Sequence, residues 1–358
     1  MRVFLALAII VVGVAACGPE TPVPDGPAAK VRRGFKIGLM LPDKTTPRWE
    51  KFDRPYITSS VAQLCPNCQI IPLNAEGDPV AQRRQLDQLT AQGVKVVILT
   101  PVDARGIQPS VDQAARRAVK IVSYDRLAQG AIEAYTSFDN VDVGRLQGQA
   151  LVEAVKASGR KGDIIMLNGP TTDPNSDEFK AGAHAAIDGR LRIGAEYDTP
   201  GWSQDEAERE TEMAMDRLGT DNVVGIYAAN DGLAGGAAAS IRDSGLAPNT
   251  PLTGMDADLD AIQRLMLGTQ TMTIYKPIQP EAQNAAQLAV DLGAGRPIQG
   301  TSMVSNDTKE DIPAEITRAI VVTRATIKDT VIKDGFWTVN EVCGPPNLKP
   351  VCQQLGIT

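Results

Sequence analysis

The chain has 358 residues, 43% of them hydrophobic, and a formal net charge of −7. At roughly 150 residues per domain, that length can fold around two cores. The acidity argues against a nucleic-acid binder, whose footprint is a basic face, and no basic run exceeds a pair such as Arg32-Arg33.

Arg2 and the unbroken run of apolar or small residues at 4–16 read as a signal peptide, because the run is shorter than the ~20 residues a spanning helix needs. Val14-Ala15-Ala16-Cys17 resembles the bacterial lipobox. That likeness implies residues 1–16 as signal peptide and Cys17 as a lipid-modified mature N-terminus holding the chain on the membrane. A plain secretory signal with a chance cysteine is the alternative. Residues 18–29 carry four prolines and no apolar periodicity, so 17–33 is expected as a flexible tether.

From residue 34 strands and helices alternate. Strands are expected at 35–41, 69–73, 94–100 and 120–124, with helices at 49–64, 80–91 and 107–118 between them. After residue 140 the pattern resumes, with helices at 143–156, 178–187, 205–218 and 233–244 and strands at 163–167, 193–198, 223–228 and 252–255. Leu259, Ile262, Leu265 and Met266 then recur at helical spacing before a strand at 271–275. Strands apolar on both faces, such as VVIL at 96–99, belong to parallel sheets covered by helices on each side. The expected class is α/β, with two Rossmann-like lobes.

Apart from Cys17, the cysteines fall into two local pairs, Cys65 with Cys68 and Cys343 with Cys352, as suits disulfides in an exported chain. The rivals are a redox pair at Cys65-Pro-Asn-Cys68, although that motif should open a helix and here follows one, and a thiolate zinc site, which would show two CxxC hooks.

Polar groups gather at strand ends, where ligands of open α/β sheets bind. Arg48 follows the first strand, Asp125-Arg126 the 120–124 strand, and Asn230-Asp231 the 223–228 strand; Asp256 and Lys276 end the last two, and Asn175 lies in the 170–177 loop. Planar forks of this kind pair with vicinal hydroxyls, and the near balance of acids and bases suits a neutral polyol. Trp49 and the loop residue Trp202 could supply the faces on which pyranose C–H groups pack, whereas Trp337 is expected as a lid over a core.

At these residues the chain resembles the type I periplasmic sugar-binding proteins of ABC transporters, in particular those that bind D-xylose and related aldoses. The likeness runs over 36–336 and is dense in KIGLML, RWEKF, SYDR, SFDN, AANDGLAGG, GMDADL, GTQTMTIYKPI and IKDTVIKDGF. It implies that Trp49 and Trp202 sandwich a monosaccharide while Arg48, Asp125, Arg126, Asn175, Asn230, Asp256 and Lys276 hydrogen-bond it. It also implies hinge crossings near 137–140, 255–258 and 300–306. Lobe one would then hold 34–136 and 259–296, lobe two 141–254 and 301–336, and a tail 337–358 would lie beyond the likeness. The resemblance further implies a monomer outside the cytoplasm, facing the periplasm or cell exterior, that delivers sugar to permease subunits, with no cofactor and no metal.

Other classes fit less well. His184, the single histidine, sits inside a helix, and no GxSxG, HExxH, Walker A or GxGxxG word is present. A glycosidase could use converging Asp125, Asp231 and Asp256, but Arg126 and Lys276 beside them should keep those acids ionised. Asp256-x-Asp258-x-Asp260 is no EF-hand, because Ala261 and Leu267 stand where Gly and Glu are required. A repressor core would carry a DNA-binding helix-turn-helix in place of the export signal. A receptor for a sensory partner shares every feature of the transport reading.

Overall fold

The computed structural model describes residues 26–357, so the expected signal peptide and Cys17 lie outside the described residues. Pro27–Arg33, expected as tether, instead forms helix α1 and packs on a later helix. Pro at the first turn and the run Ala-Ala-Lys-Val-Arg-Arg favour this, and Gly34 closes the helix with φ 74°.

In the first half, β1 (Lys36–Leu41), α2 (Arg54–Leu64), β2 (Gln69–Asn74), α3 (Pro79–Ala91), β3 (Val96–Leu99), α4 (Gln108–Arg116), β4 (Lys120–Tyr124) and β5 (Ala134–Phe138) alternate as the periodicity implies, β5 being an addition. The second half runs through α5 (Asn140–Ser158), β6 (Asp163–Asn168), α6 (Pro174–Ile187), β7 (Arg192–Asp198), α7 (Gln204–Leu218), β8 (Val223–Ala228), α8 (Asp231–Ser244), α9 (Leu259–Leu267) and β9 (Thr273–Tyr275). It continues with α10 (Ile278–Ala294), β10 (Ser302–Val304), β11 (Ile312–Thr317), β12 (Ile320–Val322), α11 (Val339–Cys343) and α12 (Lys349–Gln354).

The first sheet has the order β10-β11-β5-β4-β3-β1-β2 and is parallel except for β10. The second has the order β7-β6-β8 and continues through single bridges, Ile226 to Leu252 and Met255 to Ile274, to the antiparallel pair β9-β12. The expected lobe bounds therefore need correction. β10 and β11, from the segment assigned to lobe two, belong to the first sheet. The 259–296 segment is divided, because β9 bridges the second sheet whereas α10 packs on α2 and the first-sheet strands.

The chain thus changes lobe between β5 and α5, as expected, and then between β9 and α10 and between β11 and β12. Residues 255–258 are not a crossing. Asp256 (φ 96°) and Ala257 (φ 54°) adopt left-handed backbone, and this tight turn returns the chain toward its own lobe.

The tail, beyond the family likeness, packs into the fold. Trp337, Val342, Leu348, Cys352 and Ile357 are buried in one cluster with Ile262, Leu265 and Met266 of α9, and with Phe52 from lobe one. Trp337 is the expected lid, its Nε1 donating to the Ala257 carbonyl at 2.7 Å. Cys65 pairs with Cys68 and Cys343 with Cys352, each at disulfide distance.

Candidate functional site

The carboxyl ends of both sheets face one narrow cavity between the lobes. Its walls include all nine residues singled out at the strand ends and loops: Arg48, Trp49, Asp125, Arg126, Asn175, Trp202, Asn230, Asp256 and Lys276. Thr46, Asp173, Phe179 and Met255 complete the lining.

Arg48 sits at the entrance to a π-helical turn, Trp49–Asp53, an irregularity common at functional sites. That turn aims two neighbouring side chains at the cavity and a third behind it. Arg48 donates to Asp53 through Nε and Nη2 at 3.1 and 2.7 Å, to Asp125 through Nη1 at 2.8 Å, and to Glu281 through Nη2 at 3.1 Å. Tyr124 Oη donates to the same Asp53 at 2.6 Å. The guanidinium is therefore fixed from three sides, and it lies 4.4 Å from the centroid of the Trp49 ring.

Asp125 has φ 60°, a strained conformation for a residue with a side chain, which turns its carboxylate from the strand end into the cavity. Burial acts to raise its pKa, but Lys276, Arg48 and Arg126 together outweigh that and hold it at about 2. Lys276 Nζ lies 3.2 Å from Asp256 Oδ1 and 3.6 Å from Asp125 Oδ2, between the Phe138 and Phe179 rings. Asp256 Oδ1 is buried without a hydrogen-bond partner, and so is Trp49 Nε1. A ligand hydroxyl could satisfy either atom.

From the second lobe, Asn175 belongs to the first turn of α6 rather than to a loop. Asp173 caps that helix by accepting from Asn175 N at 3.0 Å, an Asp-Pro start that the sequence reading passed over. Asn175 Nδ2 reaches across to Asp125, at 3.2 Å from its carbonyl and 3.1 Å from Oδ1. Asp173 Oδ2 accepts from Trp202 Nε1 at 3.1 Å and pairs with Arg126 Nε at 2.7 Å. Asn230 caps α8 through Oδ1, 2.9 Å from Leu233 N.

Asp231 does not converge with the other acids. Its carboxylate accepts from Gln270, Thr273 and the Asp258 amide, bracing the turn beneath Asp256. Burial raises its pKa to about 7 despite Arg264. The cavity wall thus holds three carboxylates, Asp125, Asp173 and Asp256, against three cations, Arg48, Arg126 and Lys276. Such a wall recognises an uncharged molecule rich in hydroxyls better than an anion. His184 stands apart, bonded to Asp188 just past the end of α6 and to Glu196 on β7. Among the described residues, no group of three or more His, Cys, Asp or Glu could hold a metal ion.

Residues 37–297 match the model of the periplasmic binding protein domain. The chain is 33% identical over 313 residues to the D-xylose-binding periplasmic protein of Escherichia coli (strain K12), covering 86% of this chain and 92% of that protein. It is 26% identical over 324 residues to the multiple sugar-binding periplasmic protein SbpA of Azospirillum brasilense, covering 84% and 89%. Among solved structures it resembles the carbohydrate transporter solute binding protein from Chloroflexus aurantiacus in complex with D-glucose, with a TM-score of 0.76, 25% identity, and coverage of 85% of this chain and 97% of that one.

Proposed function

The chain belongs to the periplasmic binding protein family, a family of solute-binding proteins rather than enzymes, and from that premise we propose that it is the sugar receptor of an ABC transporter, closing two lobes on one monosaccharide. D-xylose, or an aldose close to it, is the proposed ligand. The observation that carries this reading is the charge-balanced cavity between the lobes, with Trp49 and Trp202 among its walls and hydrogen-bonding forks from both lobes. The relatives support a sugar as the class, and two curated relatives named as D-xylose-binding periplasmic proteins support D-xylose within it.

The nine residues named above act together in this reading. Trp49 and Trp202 offer ring faces to the sugar C–H groups, while Arg48, Asp125, Arg126, Asn175, Asn230, Asp256 and Lys276 meet its hydroxyls. A pentose has about ten heavy atoms, and micromolar binding at about −8 kcal/mol asks ~0.8 kcal/mol of each, below the ~1.5 ceiling for small ligands. The protein is exported, anchored through lipid on Cys17 and monomeric, and it hands its ligand to the permease subunits when closed. Titrating aldoses, disaccharides and amino acids while following tryptophan fluorescence tests the reading. Saturable quenching or enhancement by aldoses alone supports it, and a response to amino acids or disaccharides instead overturns it.

A further inference from the structure

The edge of the first sheet opposite the cavity carries a row of cations that the linear sequence does not reveal. Lys36 opens β1, Lys95 precedes β3 and Lys120 opens β4, and backbone bonds place them side by side: Lys95 N donates to Lys36 O at 2.9 Å and Lys120 N to Lys95 O at 3.0 Å. Arg117, at the end of α4, leads directly into Lys120. α1 adds Lys30 and Arg32, and Lys30, Arg33, Phe35 and Lys95 line one depression there.

Two acids at this edge are already engaged. Glu133 pairs with Lys120 at 2.7 Å, and Asp291 with Arg296 at 2.9 Å. Among the described residues, Lys30, Arg32, Lys36, Lys95 and Arg117 form no ion pair, and Arg32, Lys36, Lys95 and Arg117 are exposed. A chain of net charge −7 thus presents a locally cationic face.

That face is also where the chain enters the fold. α1 follows directly on the segment that contains Cys17, and the nine residues 18–26 reach at most about 30 Å even when fully extended. We propose that this edge of the first lobe, built from Lys30, Arg32, Lys36, Lys95 and Arg117, is a docking surface for anionic phospholipid headgroups, so that the receptor rests on the bilayer with its cleft turned away. Lysine and arginine near an anionic surface each add attraction that decays within a Debye length of about 8 Å, so the face must touch the headgroups to act.

The inference takes its direction from the proposed anchoring at Cys17, and its test separates the two. The mature chain from residue 17 onward, with Cys17→Ser and hence without lipid, is sedimented with vesicles of phosphatidylglycerol and phosphatidylcholine, or of phosphatidylcholine alone. The expected result is partition onto the anionic vesicles at least about tenfold above the neutral ones, lost on adding salt and reduced about tenfold by combined Arg32→Gln, Lys36→Gln and Lys95→Gln. Sugar binding by the triple variant, unchanged because the cavity lies at the other end of the sheet, checks that it is folded. Equal binding to neutral vesicles, no binding to anionic ones, or full binding by the folded variant would overturn the proposal. Failure of lipid attachment would leave this result unaffected.

Discussion

Arg126 of lobe one and Asp173 of lobe two form a 2.7 Å ion pair across the cleft, with both side chains buried. Two further bonds run beside it, from Asn175 Nδ2 to Asp125 and from Ala104 N to the Thr172 carbonyl at 3.1 Å. These contacts join protein to protein, so the closed arrangement has support of its own before any ligand adds to it.

Asp173→Asn tests that support, because the amide oxygen can still cap α6 while the ion pair is lost, together with the Trp202 Nε1 bond that an amide nitrogen cannot accept. Leaving Arg126 buried without its partner costs roughly 3–5 kcal/mol, which opening of the cleft relieves by hydrating it. The unliganded variant should therefore be more open in small-angle scattering and should bind sugar about tenfold or more weakly. An unchanged radius of gyration with unchanged affinity would contradict the latch.

Asp256→Ala removes a carboxylate whose Oδ1 has no hydrogen-bond partner in the protein and leaves Lys276 without its 3.2 Å neighbour. Each buried group left unsatisfied costs roughly 1–3 kcal/mol, so sugar binding should weaken by about tenfold or more. Trp202→Ala should weaken it too, through loss of a ring face. Calorimetry reads both effects, and near-native affinity in the Asp256 variant would remove this residue from the ligand set.

Acid titration has a predictable sign at Asp125. Its folded pKa of about 2 lies below the ordinary 3.8, so its ionised form contributes stability above pH 3.8 that is lost as the pH falls from there toward 2. The depression is worth about 2 kcal/mol. Urea unfolding of wild type and Asp125→Asn should give a stability gap that shrinks through this window. A gap independent of pH would show that the cations do not hold the carboxylate ionised.

Trp337→Ala should matter beyond the tail. The ring stacks edge-on with Phe52 at 5.3 Å between centroids, and its Nε1 bonds the carbonyl of Ala257, next to Asp256. A buried Trp→Ala change typically costs ~3–5 kcal/mol. The urea midpoint should drop clearly, and sugar binding should weaken as the Asp256 turn loosens. Loss of stability with full affinity would confine the tail to a structural role.

Much of the fold was legible because strands such as VVIL at 96–99 and helices such as Leu259–Leu267 carry plain periodicity. The strand ends, with the loops and first helical turns that follow them, bring nine residues to one cavity because parallel strands deliver their last residues to one edge. Asp173 escaped notice because its Asp-Pro-Asn start looks like a loop until the helix behind it is seen. Asp53 and Glu281 were missed because their role is to hold Arg48, from five and 233 residues away, and no local pattern encodes such a contact. The second and third lobe crossings were misplaced because short strands such as Thr273–Tyr275 and Ile320–Val322 declare their sheet only through partners distant in sequence.

The central claim is that a charge-balanced cavity takes a neutral aldose, and calorimetry of the wild-type protein with D-xylose, D-glucose and the carboxylate D-xylonate tests it most directly. The account predicts saturable one-to-one binding of D-xylose or its neutral relative, at micromolar affinity or tighter, with D-xylonate bound far more weakly. Binding of neither neutral sugar, or a preference for the carboxylate, would contradict it.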